Sequence, residues 1–105
     1  MIKTITTIQE FDAVVNGPEK LVLIEFWSPQ CAVCVKAESF LNDLLIAYTN
    51  LAIYKVDVDS LQQMIIKHSI TKLPTFLLFC NKNEVSKITG FKNKLEIERA
   101  IRSYH

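Results

Sequence analysis

A near-continuous apolar run, Leu21-Val22-Leu23-Ile24-Glu25-Phe26-Trp27, stops at Ser28-Pro29-Gln30 and is followed at once by Cys31-Ala32-Val33-Cys34. A run of that length with no helical period reads as a strand covered on both faces. Residues 32–48 place Phe40, Leu41, Leu44, Leu45 and Tyr48 at helical spacing, so a helix follows the break. The chain must therefore pass from a buried strand to a helix within a few residues, with two cysteines at the junction. Cysteines three positions apart lie on the same side of a helix. They can close a small disulfide or share a metal ion. Cys31, nearer the helix end, meets unpaired backbone N–H groups and the positive end of the helix dipole, which favours the reactive thiolate.

The length of 105 residues suits a single domain over residues 1–105. Half the residues are hydrophobic, enough for one core without disulfide or metal staples. A formal net charge of +1 and the lack of a basic run give no reason to expect nucleic acid or an anionic membrane as a partner. The N-terminus shows no apolar signal region and the apolar runs are strand-sized, so the expected location is the cytoplasm. Three cysteines are too few for a secreted disulfide scaffold, and the odd count leaves one unpaired. In a reducing compartment a closely spaced pair is catalytic or metal-binding before it is structural. Nothing in the sequence demands an oligomer, so a monomer is expected.

Along the rest of the chain, strands and helices alternate. Residues 2–6 read as a short strand, and Thr7-Ile8-Gln9-Glu10 as a capping box opening a helix that stops at Asn16-Gly17-Pro18. Residues 51–58 form a second apolar strand, and Ser60-Leu61-Gln62-Gln63 a second capping box whose helix ends near His68. Residues 75–80 are a third long strand, turned by Asn81-Lys82-Asn83 into a hairpin partner over 84–89. Asn93-Lys94-Leu95-Glu96 starts a last helix, with Leu95, Ala100 and Ile101 as expected core contacts. The order is β-α-β-α-β-α-β-β-α. Strands joined through helices are expected to run parallel, and the closing hairpin adds an antiparallel edge to a mixed sheet between helices.

In this order the chain resembles the thioredoxin family over nearly its full length. The resemblance is carried by Phe26-Trp27 before Cys31-Ala32-Val33-Cys34, then Lys55-Val56-Asp57-Val58-Asp59, Leu73-Pro74-Thr75-Phe76-Leu77-Leu78-Phe79, and Gly90. It implies the α/β thioredoxin fold: a central mixed sheet of four to five strands flanked by four helices. It also implies Cys31 as the exposed nucleophile and Cys34 as the resolving thiol. The other reading of the pair is half of a zinc site, for which Cys80, His68 and His105 are taken as the further candidates, and none forms a second paired motif.

The resemblance assigns further positions. Pro74 implies a cis Leu73–Pro74 bond facing the cysteines, which leaves the Leu73 backbone free to pair with an extended substrate; otherwise Pro74 is an ordinary strand-entry proline. Glu25 interrupts an apolar strand, and charges are rarely buried without a partner or a task. Family members usually carry Asp there, assigned to proton transfer with the inner cysteine. Lys55 matches a family lysine and is expected to pair with Glu25, either within that relay or as a structural ion pair. Trp27, Leu73, Gly90 and Phe91 are expected to form an apolar patch around Cys31 for transient protein contact. Cys80 reads as a small core residue and His68 has no catalytic role.

Four positions depart from the family. Ala32-Val33 replaces Gly-Pro between the cysteines, which leaves the reduction potential open. Gln30 stands where Trp is common, Ser39 where many members have a helix-kinking Pro, and Lys72 where Gly is often found, adding positive charge near the groove. The expected function is a cytoplasmic dithiol–disulfide oxidoreductase that reduces protein disulfides and needs no bound cofactor or metal. By resemblance, its electrons come from NADPH through a flavoprotein thioredoxin reductase. Two alternatives stay open: a non-catalytic binding module using the groove by Pro74, and a metal-binding protein using the two thiolates.

Overall fold

The computed structural model describes residues 1–92 and 94–105. The elements are β1 (Lys3–Ile5), α1 (Ile8–Val15), β2 (Leu21–Trp27), α2 (Ala32–Ala47), β3 (Leu51–Asp57), α3 (Gln63–Lys67), β4 (Thr75–Cys80), β5 (Asn83–Thr89) and α4 (Lys94–Tyr104). They appear in the expected order, and the five strands lie in one sheet as β1-β3-β2-β4-β5. β2 is central and buried at every residue but Trp27, which is why its sequence is apolar almost throughout.

Side chains alternate across the sheet and divide the core in two. Val22, Ile24, Phe26, Tyr54, Val56, Leu77 and Phe79 pack with Phe11 of α1 and Met64 of α3. Leu21, Leu23, Ile53, Phe76 and Leu78 pack with Ala37, Leu41 and Leu44 of α2 and with Ile97 and Ile101 of α4. By that alternation Glu25 belongs to the α2 face.

Local signals explain several element ends. Thr7 caps α1, accepting the Glu10 N–H at 3.0 Å, and the Glu10 carboxylate takes the Thr6 hydroxyl at 2.6 Å. Asn81 and Lys82 both have positive φ (50° and 72°) in the two-residue β4–β5 turn, the geometry that matches strand twist in tight hairpins.

Other expectations need correction. β4, reached from β3 through α3, is expected to run parallel to the strands before it but lies antiparallel to β2; its hairpin with β5 is antiparallel as expected. With only five helical residues in α3, the connection stays at the end of the sheet where β3 exits, and β4 enters from there. The second capping box does not form: Gln62 precedes α3 without a side-chain cap bond, and the Ser60 hydroxyl turns back to Asp57 Oδ2 at 3.4 Å. Leu95 is 52 % exposed because α4 directs Ile97 and Ile101 inward instead. Asn93, read as the start of the last helix, lies outside the described residues.

His68 ends α3 against two aromatic rings, Phe11 at 5.0 Å and Phe26 at 5.5 Å between centroids. Its Nε2 is buried without a hydrogen-bond partner. Burial, with the nearby Lys67 and Lys87 ammonium groups, holds its pKa below the ordinary 6.5 against the weaker pull of Glu84 and Asp12. The folded protein therefore keeps His68 neutral where the unfolded chain takes up a proton, and stability falls as pH drops below about 6.5. Replacing His68 by Phe should shrink the loss of stability between about pH 7 and pH 5, measured by urea unfolding at both values.

Candidate active site

Ser28, Pro29 and Gln30 bring the chain from β2 to α2, and the Cys31 N–H donates to the Ser28 carbonyl at 3.0 Å to close that turn. Cys31 has extended backbone and is the N-cap of α2; its Sγ accepts the Cys34 N–H at 3.2 Å. A sulfur in the capping position faces the orphan donors of the first helical turn, and that setting stabilises a thiolate. Cys34 lies one turn inside, on the face of α2 that packs on the sheet. The two are joined as a disulfide, with Cα atoms 5.3 Å apart. Cys31 is half-buried and Cys34 only 2 % exposed. One sulfur is thus open to attack from outside and the other is enclosed. Between them Ala32 and Val33 are exposed, Val33 at 46 %, so the departure from Gly-Pro places apolar surface beside Cys31.

The Leu73–Pro74 bond is cis. Thr75 is registered against Phe26, which sets Pro74 level with Trp27 at the end of β2 that leads to the cysteines. Gly90 donates its N–H to the Pro74 carbonyl at 2.7 Å and has φ of 86°, a backbone region that favours glycine. The Lys72 side chain lies over Gly90, 3.7 Å from where a β-carbon would stand. Leu73 is half-buried against the α1 side of the core. Phe91, expected on the rim, turns inward: its ring meets Phe40 at 5.6 Å and Phe76 at 6.3 Å, because residue 91 follows β5 over the α2–α4 layer.

Glu25 is 1 % exposed and its Oε2 has no hydrogen-bond partner. Its cross-strand neighbours are Lys55 on β3 and Phe76 on β4. Burial pushes its pKa from 4.5 up to about 7, against the pull of Lys55 and with a smaller push from Glu38. A carboxyl poised near neutrality can take or give a proton at working pH. The expected ion pair is corrected: Lys55 bonds Glu38 of α2 at 3.5 Å, and its Nζ rests 3.7 Å from the centre of the Trp27 ring. An ammonium on an indole face is favourable, and the half-exposed Glu38 lets it stay partly hydrated.

Two contributors were not read from the sequence. One is Glu38. The other is Ser28, 6 % exposed, whose hydroxyl donates to Asp59 Oδ2 at 2.6 Å, lies 2.9 Å from Gln30 Oε1 and accepts the Gln30 N–H at 3.2 Å. This network ties the turn before Cys31 to the loop after β3. A serine in a turn signals local hydrogen bonding, but its partner 31 positions away left no local sign. Among the described residues no three metal-ligating side chains come together, so the pair gains no further ligands of the kind a closed zinc site needs. Cys80 ends β4 opposite Leu21, at the far end of the sheet from the disulfide.

Comparison with known proteins agrees with this geometry. The family model described as Thioredoxin matches residues 2–103. The chain is 31% identical to Thioredoxin 1 of Plasmodium falciparum over 104 residues, covering 99% of this chain and 98% of that protein. It is 33% identical to Thioredoxin-1 of Saccharomyces cerevisiae over 101 residues, covering 96% of each. Among solved structures, Plasmodium falciparum thioredoxin superposes with a TM-score of 0.87 at 30% identity, covering 98% of this chain and 99% of that one. The oxidised mitochondrial thioredoxin 3 of Saccharomyces cerevisiae gives 0.89 at 26% identity, covering 97% and 94%.

Proposed function

The chain belongs to the thioredoxin family and is a dithiol–disulfide oxidoreductase acting through its Cys31–Cys34 pair, and we propose the following division of labour within that site. The Cys31 thiolate attacks one sulfur of a client protein's disulfide. The client S–S bond breaks, a mixed disulfide forms at Cys31, and the other client sulfur leaves as a thiolate that takes a proton from water. Cys34 gives its proton to the Glu25 carboxylate and attacks Cys31 Sγ. The Cys31–client bond breaks, the internal disulfide closes, and the client departs with both sulfurs reduced. Two electrons pass from the pair to the client. The single observation that carries this order is the contrast in access: Cys31 is half-buried at the helix N-cap, whereas Cys34 is enclosed beneath it.

Trp27, Pro74, the backbone of Leu73 and Gly90 form the docking rim. An extended client segment pairs with the Leu73 backbone, beside the exposed Val33. Lys72, over Gly90, gives that rim a positive charge and favours acidic client segments. The protein works in a reducing compartment, the cytoplasm, as its cysteine usage suggests. A flavoprotein thioredoxin reductase returns the electrons from NADPH. A coupled assay tests this: with reductase, NADPH and insulin, NADPH consumption should require all the components. Insulin reduction by the chemically pre-reduced protein, without NADPH consumption in the coupled mixture, would remove the reductase from the scheme.

A further inference from the structure

The Glu25–Lys55–Glu38 row contains a choice of partner. Lys55 has Glu25 beside it across the β2–β3 register, yet its ion pair is with Glu38, one strand-to-helix layer away, at 3.5 Å. The Trp27 ring holds the ammonium from its other side at 3.7 Å. Glu25 is left with an unpartnered buried oxygen. The Lys55 side chain is 14 % exposed and that of Glu38 49 %, so the pairing joins a largely buried lysine to a half-exposed carboxylate. The charged groups that act on Glu25 are Lys55 of β3 and Glu38 of α2, and its neighbour on β4 is the uncharged Phe76. Asp57, next along β3 on that face, turns to the loop, where its carboxylate takes the Asp59 N–H at 2.9 Å.

We propose that Glu38 is a positioning residue: by engaging the Lys55 ammonium in an ion pair of its own, it keeps that charge from closing on Glu25 and leaves the buried carboxyl free to exchange a proton. A lysine free to swing inward would pair with Glu25 and fix it as a carboxylate, a weaker proton acceptor. Glu38 acts through Lys55. The inference deepens the proposed role of Glu25 and rests on it for its meaning in catalysis, but the coupling itself is measurable without any client.

The test is titration of the Glu25 side-chain carboxyl carbon by NMR in the disulfide form, where neither Cys31 nor Cys34 titrates. In Glu38→Gln the midpoint should fall by about half a pH unit or more. Glu38→Asp, which keeps the charge, should restore most of it. In a Lys55→Met background the same Glu38→Gln change should move the midpoint much less. An unmoved midpoint in Glu38→Gln, or an equal fall with and without Lys55, would overturn the inference. Glu38 is half-exposed, so these variants should keep the parent's thermal midpoint. The pH profile of disulfide exchange separates the two levels. If Glu25 handles the proton, the profile shifts with the NMR midpoint. A shifted NMR midpoint with a fixed rate profile supports the coupling and contradicts the relay.

Discussion

Replacing Cys31 by serine abolishes disulfide exchange, with a fall of at least about 1000-fold in rate, because a serine hydroxyl does not ionise at neutral pH and cannot form the mixed disulfide. No other sulfur takes over. Cys34 is 2 % exposed beneath the helix start, too enclosed for a folded client. Cys80 lies five residues along β4 from Thr75, roughly 17 Å at the rise of an extended strand. Cys34→Ser behaves differently. It keeps the first attack, loses turnover and accumulates mixed disulfides at Cys31. Both variants keep the fold: Cys31 supplies a capping acceptor that the serine hydroxyl replaces, and serine at 34 is a small loss in a site packed by larger side chains. Insulin reduction measures the first result and intact-protein mass spectrometry the second.

Replacing Glu25 by glutamine should slow the resolving step at least ~10-fold near pH 7 and have little effect near pH 9, where a thiol of ordinary pKa ionises unaided. The same substitution should stabilise the fold, with a sign fixed by burial. Below about pH 4.5 the carboxyl is protonated in folded and unfolded chains alike, and its burial carries no charge penalty. As pH rises from 4.5 to about 7 only the unfolded chain ionises, so the native state loses stability; above about 7 the loss is complete. The rise corresponds to about 3 kcal/mol at pH 8. Glutamine escapes the charge penalty but still buries polar atoms, so the net gain is about 1–3 kcal/mol at pH 8 and close to zero at pH 4. Denaturant unfolding at the two pH values reads it directly. An exchange rate altered by the same factor at every pH from about 6 to 9 would contradict the proton role, and a variant less stable at pH 8 would contradict the buried charge.

Features that depend on neighbouring residues in the chain were legible in the sequence. β2 and β4 occur at the boundaries that their apolar runs suggested, because each run is cut off by residues that cannot continue a strand. The cysteine pair was legible for the same reason: its strand-to-helix seat is a local feature. Features set by packing were not. The reversed entry of β4 follows from how far a short α3 carries the chain, and the capping pattern at Ser60 lost to Asp57 as a nearer acceptor. Glu25 drew attention because a charge in an apolar strand stands out, but the partner of Lys55 did not. Register placed Lys55 beside Glu25, and only the path of α2 brought Glu38 closer. The ring contacts of Phe91 and the network of Ser28 left no local sign likewise, since their partners Phe40, Phe76 and Asp59 are distant in sequence.

The central claim is that Cys31 receives the client and Cys34 releases it. Its most direct measurement is peptide mapping of the pre-reduced Cys34→Ser protein after brief exposure to a disulfide-bonded peptide. The account predicts one adduct per molecule, on Cys31, that persists until an external thiol is added. An adduct on Cys80 instead, or a Cys34→Ser protein that still turns over at the parent rate, would contradict it.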